Sequence, residues 1–305
     1  MSSTAGRDPA ATQRLLRLAA GASVAVAGSL IALKAGAYVA TDSVALLSSL
    51  IDSLLDLAAS VVNMLAIRHA LVPPDDEHRF GHGKAEPLAG LAQAAFIAGS
   101  AVLLFFEAAR RLADPPPVSN TGVGVAVMVV SILASIGLVA LQRHVIRRTG
   151  SVAVGADSLH YQSDLLLNGS VILSLLASRW FEAPWLDPLF AIGIGLFILW
   201  SALQIIRLSV TQLMDRELPD EDRARIMAIA TGHPDVTDAH DLRTRSAGPQ
   251  AFVQIHIELD GAMPLRRAHA VADAVEAGIR AEFPHAEIII HQDPAGLERN
   301  TAPAK

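Results

Sequence analysis

Apolar residues run without a single charge through Pro87–Phe106, Thr121–Leu141 and Pro188–Ile206. Each stretch is about 20 residues long, enough to cross a 30 Å hydrocarbon core as a helix. Three further stretches reach similar length but are interrupted: Leu18–Thr41 by Lys34, Ser43–Ile67 by Asp52 and Asp56, and Val152–Ser178 by Asp157, His160 and Asp164. The pattern predicts an α-helical membrane bundle of six transmembrane helices over 15–215, with its intramembrane charges confined to three of them. Residues 1–14 are polar and rich in small side chains, and read as a flexible cytosolic leader.

After Asp215 the period changes. A helix is predicted from about Asp220 to Gly232, a strand near Val236–Thr244 and a turn at Ser246–Pro249. Phe252–Leu259 then alternates strictly: Phe252, Gln254, His256 and Glu258 on one face, Val253, Ile255, Ile257 and Leu259 on the other. That is the period of a sheet with one covered side. An amphipathic helix Leu265–Phe283 and a strand Glu287–His291 complete an α-β-β-α-β order over 216–305, an α+β fold with its helices on one face of the sheet.

Composition agrees with this division. The chain is 52% hydrophobic, with 18% charged residues and a mean hydropathy of +0.40, against about 25% charged residues in soluble chains. The net charge of −6 leaves no basic stripe to displace counterions from nucleic acid. No cysteine is present, so disulfides, thiolate ligands and cysteine catalysis are excluded together, and any metal must be held by His, Asp, Glu or backbone. Neither a phosphate-binding GxxxxGK[ST] loop nor a nucleotide domain is present, which disfavours an ATP-driven pump. Arg7, Arg14, Arg17, the Arg68–Lys84 loop, Arg143, Arg147 and Arg148 fall on the side of both termini, which the positive-inside bias assigns to the cytosol. Arg110 and Arg111, before the loop DPPPVSN, and Arg179, read as part of the last outer loop, run against that bias.

The chemistry concentrates in three places. Asp52 and Asp56 stand four residues apart and share one face of an apolar helix, and His160 and Asp164 repeat that spacing. A charged Asp at the bilayer centre costs roughly 3 kcal/mol, so such residues face a bundle interior and mark ion paths. Each pair alone reads equally as a buried polar contact between helices. Two matching pairs instead supply one imidazole and three carboxylates, a set that suits Zn²⁺ or Cd²⁺ and accepts Fe²⁺ or Mn²⁺, but not Cu(I). Without metal, three ionised carboxylates in a low dielectric should take up protons, and metal would have to expel them. A site that alternates between the two is a proton-coupled antiporter, with His160 the group titrating nearest neutral pH.

The loop DDEHRFGHGK packs two histidines and three acids into ten positions, with Asp75, His78 and His82 as candidate ligands; its other reading is a solvated polar loop. Six of the eleven histidines lie after Asp215. His240, His256, His291 and Asp293 could converge as a regulatory or structural metal cluster. His269 is ambiguous between a ligand and a helix-face residue, while His233 and His285, beside prolines, read as surface residues. Lys34 reads as snorkelling to an interface or pairing with an intramembrane acid.

DSLLD at 52–56, HYQSD at 160–164, HRFGHGKAE at 78–86, DRELPDEDR after the last helix, AHDLRTRSAGP and the terminal IIIHQDP together resemble the cation diffusion facilitator family, and in particular its bacterial zinc and iron efflux transporters. The resemblance spans nearly the whole chain and meets no departure at a ligand position. It implies a homodimer of six-helix protomers with ferredoxin-like cytosolic domains in the bacterial inner membrane, exchanging a divalent cation for protons. By position it makes Asp52, Asp56, His160 and Asp164 the transport site and Asp75, His78 and His82 a loop site. It also implies a binuclear site of His240, His256, His291 and Asp293, with His269 as a further ligand, at the cytosolic dimer interface. Asp76 and Lys84 resemble an ion pair between protomers. The DxxxD and HxxxD pairing resembles the zinc-type subgroup, so Zn²⁺ is the expected ion, with Cd²⁺ and Fe²⁺ as alternatives. The competing class is a membrane-anchored metal sensor, against which costly intramembrane carboxylates argue.

Overall fold

The computed structural model describes residues 9–42, 44–113, 122–181, 186–248, 250–284 and 286–296. Two compact units divide at Leu213 and Met214, the first of them taking the chain from Gln13 to Leu213. The first is helical: α1 (Pro9–Thr41), α2 (Val44–Ala70), α3 (Ala85–Ala113), α4 (Gly122–Thr149), α5 (Val152–Phe181) and α6 (Leu186–Leu213). Among the described residues, five of these helices are long and apolar enough to cross a membrane; in α5 the described apolar run is broken by Asp157, His160 and Asp164.

Several boundaries differ from the sequence expectation. Helix α1 begins at Pro9, so residues 9–14 of the expected flexible leader are helical, with proline suited to a first turn where no N–H is required. Residues 1–8 and the DPPPVSN segment lie outside the described residues. Arg179 belongs to α5 rather than to a loop. Helix α4 ends on Gly150, whose positive φ of 70° and N–H to the Ile146 carbonyl at 2.7 Å form a left-handed cap. Ser151 then caps α5 through Val154 N–H at 3.1 Å. This short connection fixes α4 and α5 as neighbours. Helices α3 and α6 approach so closely at Gly195 that a Cβ there would sit 2.7 Å from the Phe105 ring, the small-residue contact expected where no hydrophobic force draws helices together.

The second unit comprises α7 (Asp220–Thr231), β1 (Asp238–Ala247), β2 (Gln250–Leu259), α8 (Leu265–Glu282) and β3 (Ala286–Pro294). The sheet order is β1-β2-β3, with β1 and β2 antiparallel and β2 and β3 parallel. Val253, Ile255, Ile257 and Leu259 face a core that also takes Ile226 from α7 and Val271, Val275 and Ile279 from α8. The alternation therefore reads the covered face correctly. On the opposite face, Phe252 departs from the polar pattern: it is buried beneath the Arg245 guanidinium, 4.7 Å from its ring centroid. His285 lies outside the described residues.

Candidate metal centres

Helices α2 and α5 bring Asp56, His160 and Asp164 together inside the helical unit, with one ligand atom from each lying within 4.8 Å of the others. His160 Nε2 is 2.8 Å from Asp56 Oδ1 and 3.8 Å from Asp164 Oδ2, with the imidazole largely buried. Tyr161 and Phe96 flank the ring at centroid distances of 5.6 and 6.5 Å. Asp52 is not part of this group. It lies one turn before Asp56, about 6 Å along the helix axis, and is exposed. Lys34, read from sequence as a snorkelling or acid-paired residue, lies within electrostatic reach of Asp56, Asp164 and Asp52 and donates to Ser53 Oγ at 2.7 Å and to the Ser49 carbonyl at 3.2 Å, tying α1 to the Asp52 turn.

In the loop between α2 and α3, Asp75, His78 and His82 converge within 4.8 Å. The turn is built by Asp75 Oδ1, which accepts the backbone N–H of His78 at 2.6 Å and of Glu77 at 3.0 Å, and by Gly81 at φ 74°. Those hydrogen bonds, that from His78 foremost, hold the Asp75 carboxyl below the usual carboxylate range. The carboxylate's grip on the turn is therefore complete above the ordinary carboxylate pKa and is lost only as pH falls below it, through the lowered value. Slow exchange of the His78 amide should persist to that acidic range in the wild type and be absent at all pH values in Asp75→Ala. His82 is 95% buried at its side chain, with Nε2 3.4 Å from Asp75 Oδ2 and an Nδ1 atom that has no hydrogen-bond partner. His69, which the motif reading does not single out, lies edge-on to His82 at 4.5 Å. Nothing in its spacing from His78 and His82 marks it, because the chain must turn back through Pro73-Pro74 to bring the loop to the end of α2.

The third group lies on the sheet face away from α8. Register places His240, His256 and His291 side by side across β1, β2 and β3, and Glu258 opposite Asp293 in the next row. Asp293 accepts from His256 Nδ1 at 2.8 Å, lies 3.6 Å from His240 Nε2 and 3.2 Å from His291 Nε2. His240, His256 and Asp293 form a group within 4.8 Å, and His291 stands beside it with its ring 4.6 Å from that of His256. A bulge between His240 and Arg243 puts Asp241 at φ 44° and its carboxylate 3.8 Å from His256 Nε2. On the other side of His240, Asp238 and Glu258 complete a second three-residue group. These two acids were not distinguished in the sequence because their relevance depends on strand register. The Nδ1 atom of His240 is buried without a hydrogen-bond partner, 3.5 Å from Glu258 Oε1.

Burial works against the charge of Asp293, but the hydrogen bond from His256 and the nearby His291, His256 and His240 outweigh it and hold its carboxyl below the usual range. His269 does not join within one chain: it is exposed on α8, which covers the opposite sheet face, and pairs with Asp273 at 3.6 Å. Asp76 is also paired locally, with Arg79 at 3.1 Å, while Lys84 Nζ is 3.5 Å from the Leu213 carbonyl. The donor sets, imidazole with carboxylate and no sulfur, fit zinc and other borderline divalent ions.

Comparison with known proteins accounts for both units. Residues 21–214 match the cation efflux transmembrane domain, and residues 218–295 match the cation efflux protein cytoplasmic domain. The cation-efflux pump FieF of Shigella flexneri serotype 5b (strain 8401) is 50% identical over 284 residues, covering 93% of this chain and 94% of that protein. FieF of Escherichia coli (strain SMS-3-5 / SECEC) matches with the same identity and coverage. The chain therefore belongs to the cation efflux, or cation diffusion facilitator, family and is a multi-pass membrane transporter rather than an enzyme.

Proposed function

We propose that this transporter exports Zn²⁺ from the cytosol in exchange for protons, as a homodimer in the bacterial inner membrane with both termini cytosolic. The observation that carries this reading is the Asp56–His160–Asp164 group within the helical unit. Its one imidazole and two carboxylates can take a borderline divalent ion, and Asp52, one turn away, can supply a fourth ligand. The same groups bind protons when the ion leaves, because uncompensated charge is costly in a low dielectric. Alternation between those occupants, opened to each side in turn, produces countertransport. The match to a cation efflux cytoplasmic domain supports dimerisation. In that assembly the His240–His256–Asp293 group, with His291 beside it, holds cytosolic metal, His269 adds a ligand from a second copy, and Asp76 pairs with Lys84 across the dimer. The Asp75–His78–His82 loop holds a further ion.

The test is uptake into proteoliposomes that are acidic inside, offered Zn²⁺, Cd²⁺ or Fe²⁺ separately and in competition. Zn²⁺ uptake that collapses with the proton gradient, and is displaced less readily by Fe²⁺ than by Cd²⁺, is expected. Preferred Fe²⁺ uptake would reassign the ion, and gradient-independent uptake would contradict antiport. Saturable binding without flux of any ion would favour the anchored sensor.

A further inference from the structure

Asp157 sits in α5 one turn before His160, 1% exposed, outside every metal group described above. Its carboxylate gathers polar groups from all four preceding helices. The Ser23 hydroxyl of α1 is 2.5 Å and Gln142 Nε2 of α4 is 2.7 Å from Oδ2. Gln93 Nε2 of α3 and the Ser60 hydroxyl of α2 are 3.1 and 3.5 Å from Oδ1. All four partners are buried. Tyr161, beside the ligand His160, extends the network: its hydroxyl lies 3.1 Å from Ser60 Oγ and donates to the Ser23 carbonyl at 3.2 Å.

Asp157 is the one acceptor that all four partners share, although Gln142 Nε2 also donates to Ser23 Oγ at 3.1 Å and Ser23 Oγ lies 3.1 Å from the Ala19 carbonyl. Gln93 and Gln142 each turn an amide N–H toward the Asp157 carboxylate and leave Oε1 buried without a hydrogen-bond partner, a cost that a weaker acceptor would not offset. The location matters as much as the strength. Asp157 and His160 are three residues apart, and Asp164 follows one turn later, so the anchor and both α5 ligands share consecutive turns of one helix. Metal sites tolerate ligand displacements of only about 0.2 Å. A rotation of α5 about its axis would exceed that at His160.

We propose that Asp157 is a positioning residue of transport: its carboxylate, held by Ser23, Ser60, Gln93 and Gln142, fixes the rotation of α5 and so presents His160 and Asp164 to Asp56. The proposal rests on the transport reading above. In Asp157→Asn the new amide nitrogen faces donors, so the clamp fails without loss of volume. Exchanging the groups, Asp157→Asn with Gln142→Glu, restores an acid–amide pair across α4 and α5.

The experiment is Zn²⁺ flux by the full-length protein in proteoliposomes, with KM and kcat measured separately. Asp157→Asn should raise KM about 10-fold or more, the scale on which supporting residues affect metal sites, while kcat changes little. The exchanged double variant should recover most of that increase. Wild-type KM in Asp157→Asn, or a fall in kcat alone, overturns the proposal. If Asp157→Asn fails to fold, Ser60→Ala and Gln93→Leu carry the test, and wild-type KM in both overturns it. Wild-type protein that moves no metal would defeat the transport reading instead. The effect of these variants on Zn²⁺ dissociation constants would then decide the role of Asp157 by the same criterion.

Discussion

Asp56→Ala is expected to reduce metal flux by about 100-fold or more, with the protein still inserted and monodisperse, and His160→Ala to do the same. Both residues offer ligand atoms to one small group, and His160 Nε2 lies 2.8 Å from Asp56 Oδ1. Loss of residues that merely support a metal ligand costs about 10- to 100-fold; loss of one ligand among three or four should exceed that. The variants also separate transport from folding. Asp56 lies on a half-buried helix face, so its truncation opens little space. Asp52→Ala should be milder, since Asp52 joins the coordination only by moving inward from its exposed position. Initial rates in proteoliposomes, normalised to reconstituted protein, check all three. Wild-type rates in Asp56→Ala would remove the proposed site.

The second large effect concerns the sheet unit. Metal held by His240, His256 and Asp293 should raise its melting temperature, because only the folded sheet lines up ligands from three strands. At a free ion concentration a thousand times the dissociation constant, the gain is about 4 kcal/mol. For a unit of this size each kcal/mol moves the midpoint by roughly 4–8 °C, so chelation should lower it by about 15 °C or more. His256→Ala should abolish the response to chelator. Protonation of Asp293 does not limit the effect near neutral pH, its carboxyl being held below the usual range. Scanning calorimetry of the full-length protein, with and without chelator, makes the comparison. Equal midpoints would show that this cluster holds no stabilising ion.

What was legible in the sequence follows from which patterns are local. Charges inside apolar helices stand out, so the Asp52/Asp56 and His160/Asp164 pairs are visible as i, i+4 spacings. Whether each carboxylate turns inward is not, and Asp52 remains outside the group that Asp56 joins. Strict alternation along Phe252–Leu259 identifies the covered sheet face. It cannot supply the strand register that aligns His240, His256 and His291, nor the packing of Arg245 that buries Phe252. The loop motif shows Asp75, His78 and His82 but not His69, which arrives through the fold of the turn. Asp157 is the clearest case. Its charge interrupts an apolar helix in plain view, whereas Ser23, Ser60, Gln93 and Gln142 are neutral residues scattered over four helices, with no shared spacing to announce a common partner.

The central claim is that one site carries metal one way and protons the other. It is tested most directly in vesicles loaded with a zinc dye and a pH dye and reconstituted with wild-type protein or Asp56→Ala. Zn²⁺ entry coincident with proton exit, both lost in the variant, is the predicted result. Zn²⁺ entry with no proton movement, or coupled movement that survives in Asp56→Ala, would contradict it.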